Sequence, residues 1–284
     1  MNIKQMSLVA WVVTLIFGTF YSVLLYGIAQ FIFEVFADNC SAPVAIIAGV
    51  VMSVGMLLIY ALSFRLGGDR VPDLPLKSLL SSTLKGFGIC AAYFVVVVGV
   101  LFALGVYRVN SIGISFMDIL LWLSFFLLIA VGEEMIFRGF LFRWIDRRFG
   151  FVAALVVSAF IFGLVHWSQG DFLSAMAIAV EMGILVGAAY RYSGDLWLPI
   201  GMHWGWNFTQ GNIFGFSVSG TDAGPSLIKP TLEGPQWLTG GAFGAEATVV
   251  ATIIGLGLGL WFTMQVIRRQ RQQPAPTGTA TAES

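Results

Sequence analysis

Two glutamates, two histidines, an arginine and an asparagine stand in segments that are otherwise almost entirely apolar. Glu133, Glu134 and Arg138 lie in LLIAVGEEMIFRGF, His166 in FIFGLVHW, and His203 and Asn207 in LPIGMHWGWNF. The chain has no other histidine. A charged group at the centre of a bilayer costs about 3 kcal/mol on insertion scales, so chains that keep such groups there usually use them. A carboxyl held at low dielectric favours its neutral form, and one that titrates near working pH suits the role of general base. An adjacent imidazole can relay the proton. A second imidazole and a carboxamide can donate to a developing oxyanion, each donor being worth about 3 kcal/mol in comparable sites. The set suits hydrolysis by an activated water, without a serine or cysteine nucleophile. Two histidines with a carboxylate also make a familiar catalytic zinc set. The His-Glu-x-x-His signature is absent, so Glu133, His166 and His203 would have to hold such a metal from separate helices.

Helical spacing groups these residues. Glu134 and Arg138 are four apart and share one helix face, as do His203 with Asn207 and Phe162 with His166. Glu133 is rotated about 100° from Glu134 and can face a different wall. Three helices thus each carry polar groups ill suited to face lipid, and their convergence on one hydrated interior site accounts for all of them. The bland readings are a structural ion pair for Glu134 and Arg138, and ordinary cross-helix hydrogen bonds for each histidine alone and for Asn207. Glu181, in AIAVEMGILVG, also lies mid-segment and is expected to support one of the histidines.

The elements that must position these groups are membrane helices. Of the 284 residues 58% are hydrophobic and 11% charged, against about 25% charged in soluble domains. The formal net charge is zero, which gives no sign of a nucleic-acid partner. Cys40 and Cys90 have no metal-ligand spacing and read as ordinary small apolar residues. Eight stretches approach the length of about 20 apolar residues that a span requires: 7–33, 43–64, 87–107, 114–142, 150–167, 172–191, 196–214 and 247–267. The expected fold is all-α, a polytopic bundle of about eight spans around a polar cavity. Residues 1–272 form one helical membrane domain, followed by a disordered tail, 273–284.

Lysine and arginine set the expected orientation. With a cytoplasmic N-terminus, 13 of the 15 fall on cytoplasmic segments, and only Arg108 and Lys229 fall outside. That bias follows the positive-inside rule and places both termini in the cytoplasm. The connector RLGGDRVPDLPLKSLLSSTLKG, 65–86, has room for a short interfacial helix after Pro75. Residues 215–246 form an outer loop rich in Gly, Ser and Pro. The tryptophans, Trp167, Trp197 and Trp204 among them, fit interfacial belts.

The motifs EEMIFR (133–138), FGLVH (162–166) and HWGWN (203–207) resemble the Glu-Glu-x-x-x-Arg, Phe-x-x-x-His and His-x-x-x-Asn series of the CPBP family, in family order. That family groups CAAX-type prenyl-protein endopeptidases with bacteriocin-processing and self-immunity membrane proteins, often called Abi proteins. The resemblance covers roughly 114–214. It implies an intramembrane endopeptidase that cleaves a membrane-tethered or lipidated protein or peptide near the cytoplasmic side, in a bacterial cytoplasmic membrane. By the same resemblance Glu133 and His166 activate water, His203 and Asn207 stabilise the oxyanion, and Glu134 and Arg138 shape the site. Members are commonly described as metalloproteases, and a metal-free glutamate mechanism has also been proposed. Two other classes remain in play: a non-catalytic immunity or chaperone-like protein of the same fold, and a carrier using Glu and His as a proton relay. One expectation sits awkwardly with convergence. Counted from Arg143, Glu133 lies about 15 Å deep, whereas His166 lies about 24 Å from Gly150.

Overall fold

The computed structural model describes residues 6–66 and 74–272. Lys4, Arg70 and the tail 273–284 lie outside the described residues. Helix α1 spans Leu8–Asn39 and starts at Ser7, whose side chain accepts from the Ala10 amide. Helix α2 is Ala42–Leu66. A single 3-10 turn, Leu76–Ser78, leads directly into α3, Leu79–Ala103. The short helix expected after Pro75 is therefore the first turn of a span.

Helix α4 runs Phe116–Phe149 and widens into a π-helix at Met135–Phe142. Gly150, at φ +87°, makes the reversal into α5, Phe151–His166. A further 3-10 turn, Trp167–Gln169, ends that element. Helix α6, Phe172–Ser193, is capped by the Asp171 side chain and contains a second π stretch, Ala179–Ile184. The Ser174 amide that Asp171 accepts holds its carboxyl below the usual range. Helix α7 is Trp197–Phe208 and passes into a third π stretch, Thr209–Ile213. Helix α8 is Val249–Gln272.

Among the described residues, seven of these eight helices are long and apolar enough to cross a bilayer. The exception is α7. Its residues are almost all buried, so it lies inside the bundle with little contact to lipid. Its tight fit against α3 needs glycine. A Cβ at Gly86 would strike the Leu198 carbonyl, one at Gly201 the Thr83 carbonyl, and one at Gly205 the Phe87 carbonyl. Small residues let membrane helices approach this closely.

The helices alternate in direction. Along the α2–α4 pair, Gly49 meets Ser124 near one end and Tyr60 meets Gly139 further along. Arg143 reaches the Phe64 ring at the other end. One end of the bundle therefore gathers Arg65, Lys77, Arg143, Arg147, Arg148, Arg191 and Arg268–Arg271. The opposite end carries Arg108 and Lys229. There the long connection between α7 and α8 is folded down onto the helices. Its strand β2, Ile228–Leu232, pairs antiparallel with β1, Tyr107–Ile112. It also buries Phe216, Ala223, Phe243 and Glu246. This is not the loose loop its composition suggests, because its apolar side chains fill the top of the bundle.

Candidate active site

Glu134 sits at the centre of the polar cluster, fully buried on α4. Its Oε1 accepts from Arg138 at 2.6 Å, one turn along, and from His203 Nδ1 at 2.8 Å on α7. The Arg138 guanidinium also donates to the Met182 carbonyl, in the π stretch of α6. It lies over the Phe162 ring at 5.0 Å. One ion pair thus ties together α4, α6 and α7, with an aromatic ring from α5 beneath it. The Phe of the FGLVH motif touches both imidazoles: its ring packs at a tilt against His166 at 4.6 Å and sits 6.4 Å from His203.

These contacts orient both imidazoles. The His166 Nδ1 lies 2.8 Å from the Phe162 carbonyl, which can only accept. Nδ1 therefore carries the proton, and Nε2 is the nitrogen left for chemistry. In His203, Nδ1 faces Glu134 and Nε2 lies 3.9 Å from Glu133 Oε2. That separation exceeds a direct hydrogen bond and suits two groups that share one water. Glu133 Oε1 takes a long contact of 3.5 Å from the Tyr26 hydroxyl on α1. Its Oε2 is buried without a hydrogen-bond partner among the described residues.

Glu133, His166, His203 and Asn207 line one cavity of about 240 Å³, joined by Tyr26 and Glu246. The convergence expected from spacing is realised. The depth discrepancy disappears when both helices are measured from their shared turn at Gly150, since α4 runs on past Arg143 to Phe149. From that turn Glu133 is about 25 Å along α4 and His166 about 24 Å along α5, at 1.5 Å per residue. The cavity's exposed lining residues, Gln169, Thr221 and Asp222, lie on the end opposite the arginines.

Two participants were not anticipated from the sequence. Tyr26 stands in an unremarkable apolar run, and nothing local marks it. Glu246 is fully buried in the connection before α8. It accepts from Trp206 Nε1 at 2.8 Å and from the Ser219 amide. Burial pushes the Glu246 carboxyl up, although both hydrogen bonds oppose the shift. Ser219, at φ +49°, is the one non-glycine residue with positive φ among those described, a strained conformation that aims its N–H at the carboxylate. Its only sequence signal was a lone acid in GGAFGAE. Conversely, Glu181 does not support a histidine. Its carboxylate accepts from Thr252 at 2.8 Å and Tyr93 at 3.3 Å, and its stem packs on Gly255 of α8. Trp204 is more than a belt residue, since its Nε1 donates to the Leu123 carbonyl at 2.9 Å and joins α7 to α4.

The conditional metal set was Glu133, His166 and His203. Among the described residues no three His, Cys, Asp or Glu side chains assemble as a metal site. His203 Nδ1 is engaged by Glu134 and His166 Nδ1 by the Phe162 carbonyl, which leaves Nε2 of each ring open. As arranged here, Glu133, His166 and His203 do not close on one common metal position.

Residues 114–209 match the family model described as type II CAAX prenyl endopeptidase Rce1-like. The match covers the central third of the chain and says what that segment is similar to. The Rce1-like segment runs from just before α4 to the end of α7 and holds every motif residue, while Tyr26 and Glu246 fall outside it. Comparison with curated proteins and with solved structures finds no match. The Rce1-like segment, set among seven helices long and apolar enough to cross a bilayer, marks an integral membrane protein.

Proposed function

We propose that this protein is an intramembrane endopeptidase that hydrolyses a peptide bond of a membrane-tethered or lipidated substrate with a water activated by Glu133 and His166. The observation that carries the reading is the meeting of Glu133, His166, His203 and Asn207 in one cavity, drawn from three separate helices. Glu133, whose Oε2 has no competing donor, takes the water proton, assisted by His166 Nε2. The hydroxide attacks the scissile carbonyl. His203 and Asn207 donate to the oxyanion of the tetrahedral intermediate. For His203 to donate from Nε2 while Nδ1–H stays on Glu134, the ring must be the imidazolium, and Glu134 is its counter-charge. The proton held by Glu133 then passes to the leaving amine as the C–N bond breaks. Glu134 and Arg138 act at one remove, holding His203 in place. A bilayer partner is implied throughout, and the arginine distribution favours a cytoplasmic membrane with both termini inside.

The test is cleavage of a membrane-tethered peptide library by purified protein in liposomes. Glu133→Gln, His166→Ala and His203→Ala are each expected to abolish cleavage while the protein still inserts. Asn207→Ala should retain a residue, lowered about 10²–10³-fold as for the loss of one oxyanion donor. Cleavage that survives all four substitutions would falsify the reading, whereas biological activity kept by these variants with no cleavage by the wild type would favour the non-catalytic immunity or chaperone-like role. A chelator that leaves the wild-type rate unchanged is expected for the metal-free route, and loss restored by added zinc would install a metal instead.

A further inference from the structure

The mouth of the cavity is finished by a small hairpin that no motif accounts for. Val218 and Thr221 exchange both backbone hydrogen bonds, at 3.0 and 2.9 Å, around the turn Ser219–Gly220. Both turn residues have positive φ, +49° and +80°. A turn of that kind favours Asn-Gly or Gly-Gly, because most side chains are strained at its first position. Serine there is the exception, and a strained residue beside a cluster of reactive groups points to use.

The turn is fixed from several sides. Gly220 presses on the turn that follows His166, so closely that a Cβ would strike the Gln169 carbonyl. Its amide donates to the Phe243 carbonyl at 2.9 Å. The Ser219 amide donates to Glu246 Oε1, while Oε2 of that carboxylate accepts from Trp206 Nε1 at 2.8 Å. Trp206 stands between His203 and Asn207 on α7. Glu246 thus ties the hairpin to the helix of both proposed oxyanion donors, and Gly220 seats it on the end of the helix that bears His166. Ser219 lines the cavity with these residues. Its amide is engaged, yet no described residue hydrogen-bonds its hydroxyl. Without a hydrogen-bonded base the hydroxyl is not equipped as a nucleophile. It is a donor and acceptor held in place with nothing to bind.

We propose that Ser219 is a substrate-binding residue whose hydroxyl hydrogen-bonds a backbone amide or carbonyl of the peptide in the cavity, and that Glu246 is the positioning residue that holds it there. The inference rests on the endopeptidase reading for the identity of the occupant. Both residues lie outside the Rce1-like segment. A contact to the main chain is indifferent to the peptide's side chains, so a generic sequence can probe it.

Ser219→Gly separates the contact from the strain. Glycine adopts positive φ freely, so the melting temperature should hold or rise while the hydroxyl is lost. The full chain carrying Glu133→Gln, in which the peptide should persist, is placed in phosphatidylcholine nanodiscs. Fluorescence anisotropy then follows a palmitoylated, alanine-rich peptide. Adding Ser219→Gly should weaken binding by about three- to ten-fold, the worth of one neutral hydrogen bond. Glu246→Gln should weaken binding in the parent and add little in the Ser219→Gly variant, since the two act through one contact. With Glu133 intact, Ser219→Gly should raise KM for a cleaved library peptide and leave kcat nearly unchanged. Equal affinity with and without the hydroxyl, no binding by the parent, or a loss of affinity matched by a fall in melting temperature would overturn the proposal. Weakened binding by Ser219→Gly in a protein whose wild type cleaves nothing would support the contact and count against the endopeptidase reading.

Discussion

At the scale of single residues, the site depends on one buried ion pair more than on any group that would touch substrate. Glu134 and Arg138 are 0% and 1% exposed, so removing one partner leaves the other charged and poorly solvated. Loss of one member of such a pair typically costs on the order of 3–5 kcal/mol, and replacing both with apolar groups often costs far less. Arg138→Met should therefore lower thermal stability in detergent sharply, and Glu134→Gln with Arg138→Met should recover much of the loss. A double-mutant cycle by thermal melting checks this. Activity should not recover in the double variant, because His203 would lose the carboxylate at 2.8 Å that orients it. Recovery of both together would remove Glu134 from the site.

At the scale of elements, three helices bear the motif side chains, and α7 is the one whose position has least freedom. It carries both proposed oxyanion donors and is pressed against α3 through Gly86, Gly201 and Gly205. A Cβ at position 201 would overlap backbone, which can yield only if a helix moves. Displacing a catalytic group by about 1 Å can cost about 10²-fold in rate. Gly201→Ala is accordingly expected to insert normally yet lose cleavage by at least about ten-fold, as read by initial rates on one tethered peptide. Gly257 on α8, where an added Cβ meets nothing, supplies the control, and Gly257→Ala should leave the rate unchanged. The π stretches belong to this scale too. They follow Glu134 in α4, contain Met182 in α6 and follow Asn207 in α7, in keeping with the concentration of such widened turns at functional sites.

At the scale of the whole molecule, the arginines and the cavity mouth occupy opposite ends. If the arginine-rich end is cytoplasmic, the mouth opens on the other side, unlike the cytoplasmic-side cleavage that the family resemblance implied. Cys40 offers a direct measurement. It is exposed in the turn between α1 and α2, at the end that bears the mouth, whereas Cys90 is buried. A membrane-impermeant maleimide applied to intact cells should label the protein, and Cys40→Ala should abolish that labelling. Labelling only after permeabilisation would invert the orientation and return the mouth to the cytoplasm.

The membrane class and the six motif residues were legible in the sequence because both are written locally. Hydropathy over about 20 residues marks a span, and ionisable groups inside such spans stand out against it. Spacing of four placed Glu134 with Arg138 and His203 with Asn207 on shared faces, and both pairings lie within the site. What spacing does not encode is which faces of different helices meet. Only the packed bundle put His203 on Glu134, sent Glu181 to Thr252 and Tyr93 instead of to a histidine, and brought Tyr26 and Glu246 into the cavity that Glu133 lines. Those contacts join residues tens to more than a hundred positions apart. They are decided by close packing at glycines and by a strained connection folded over the bundle, terms that no local window of sequence contains.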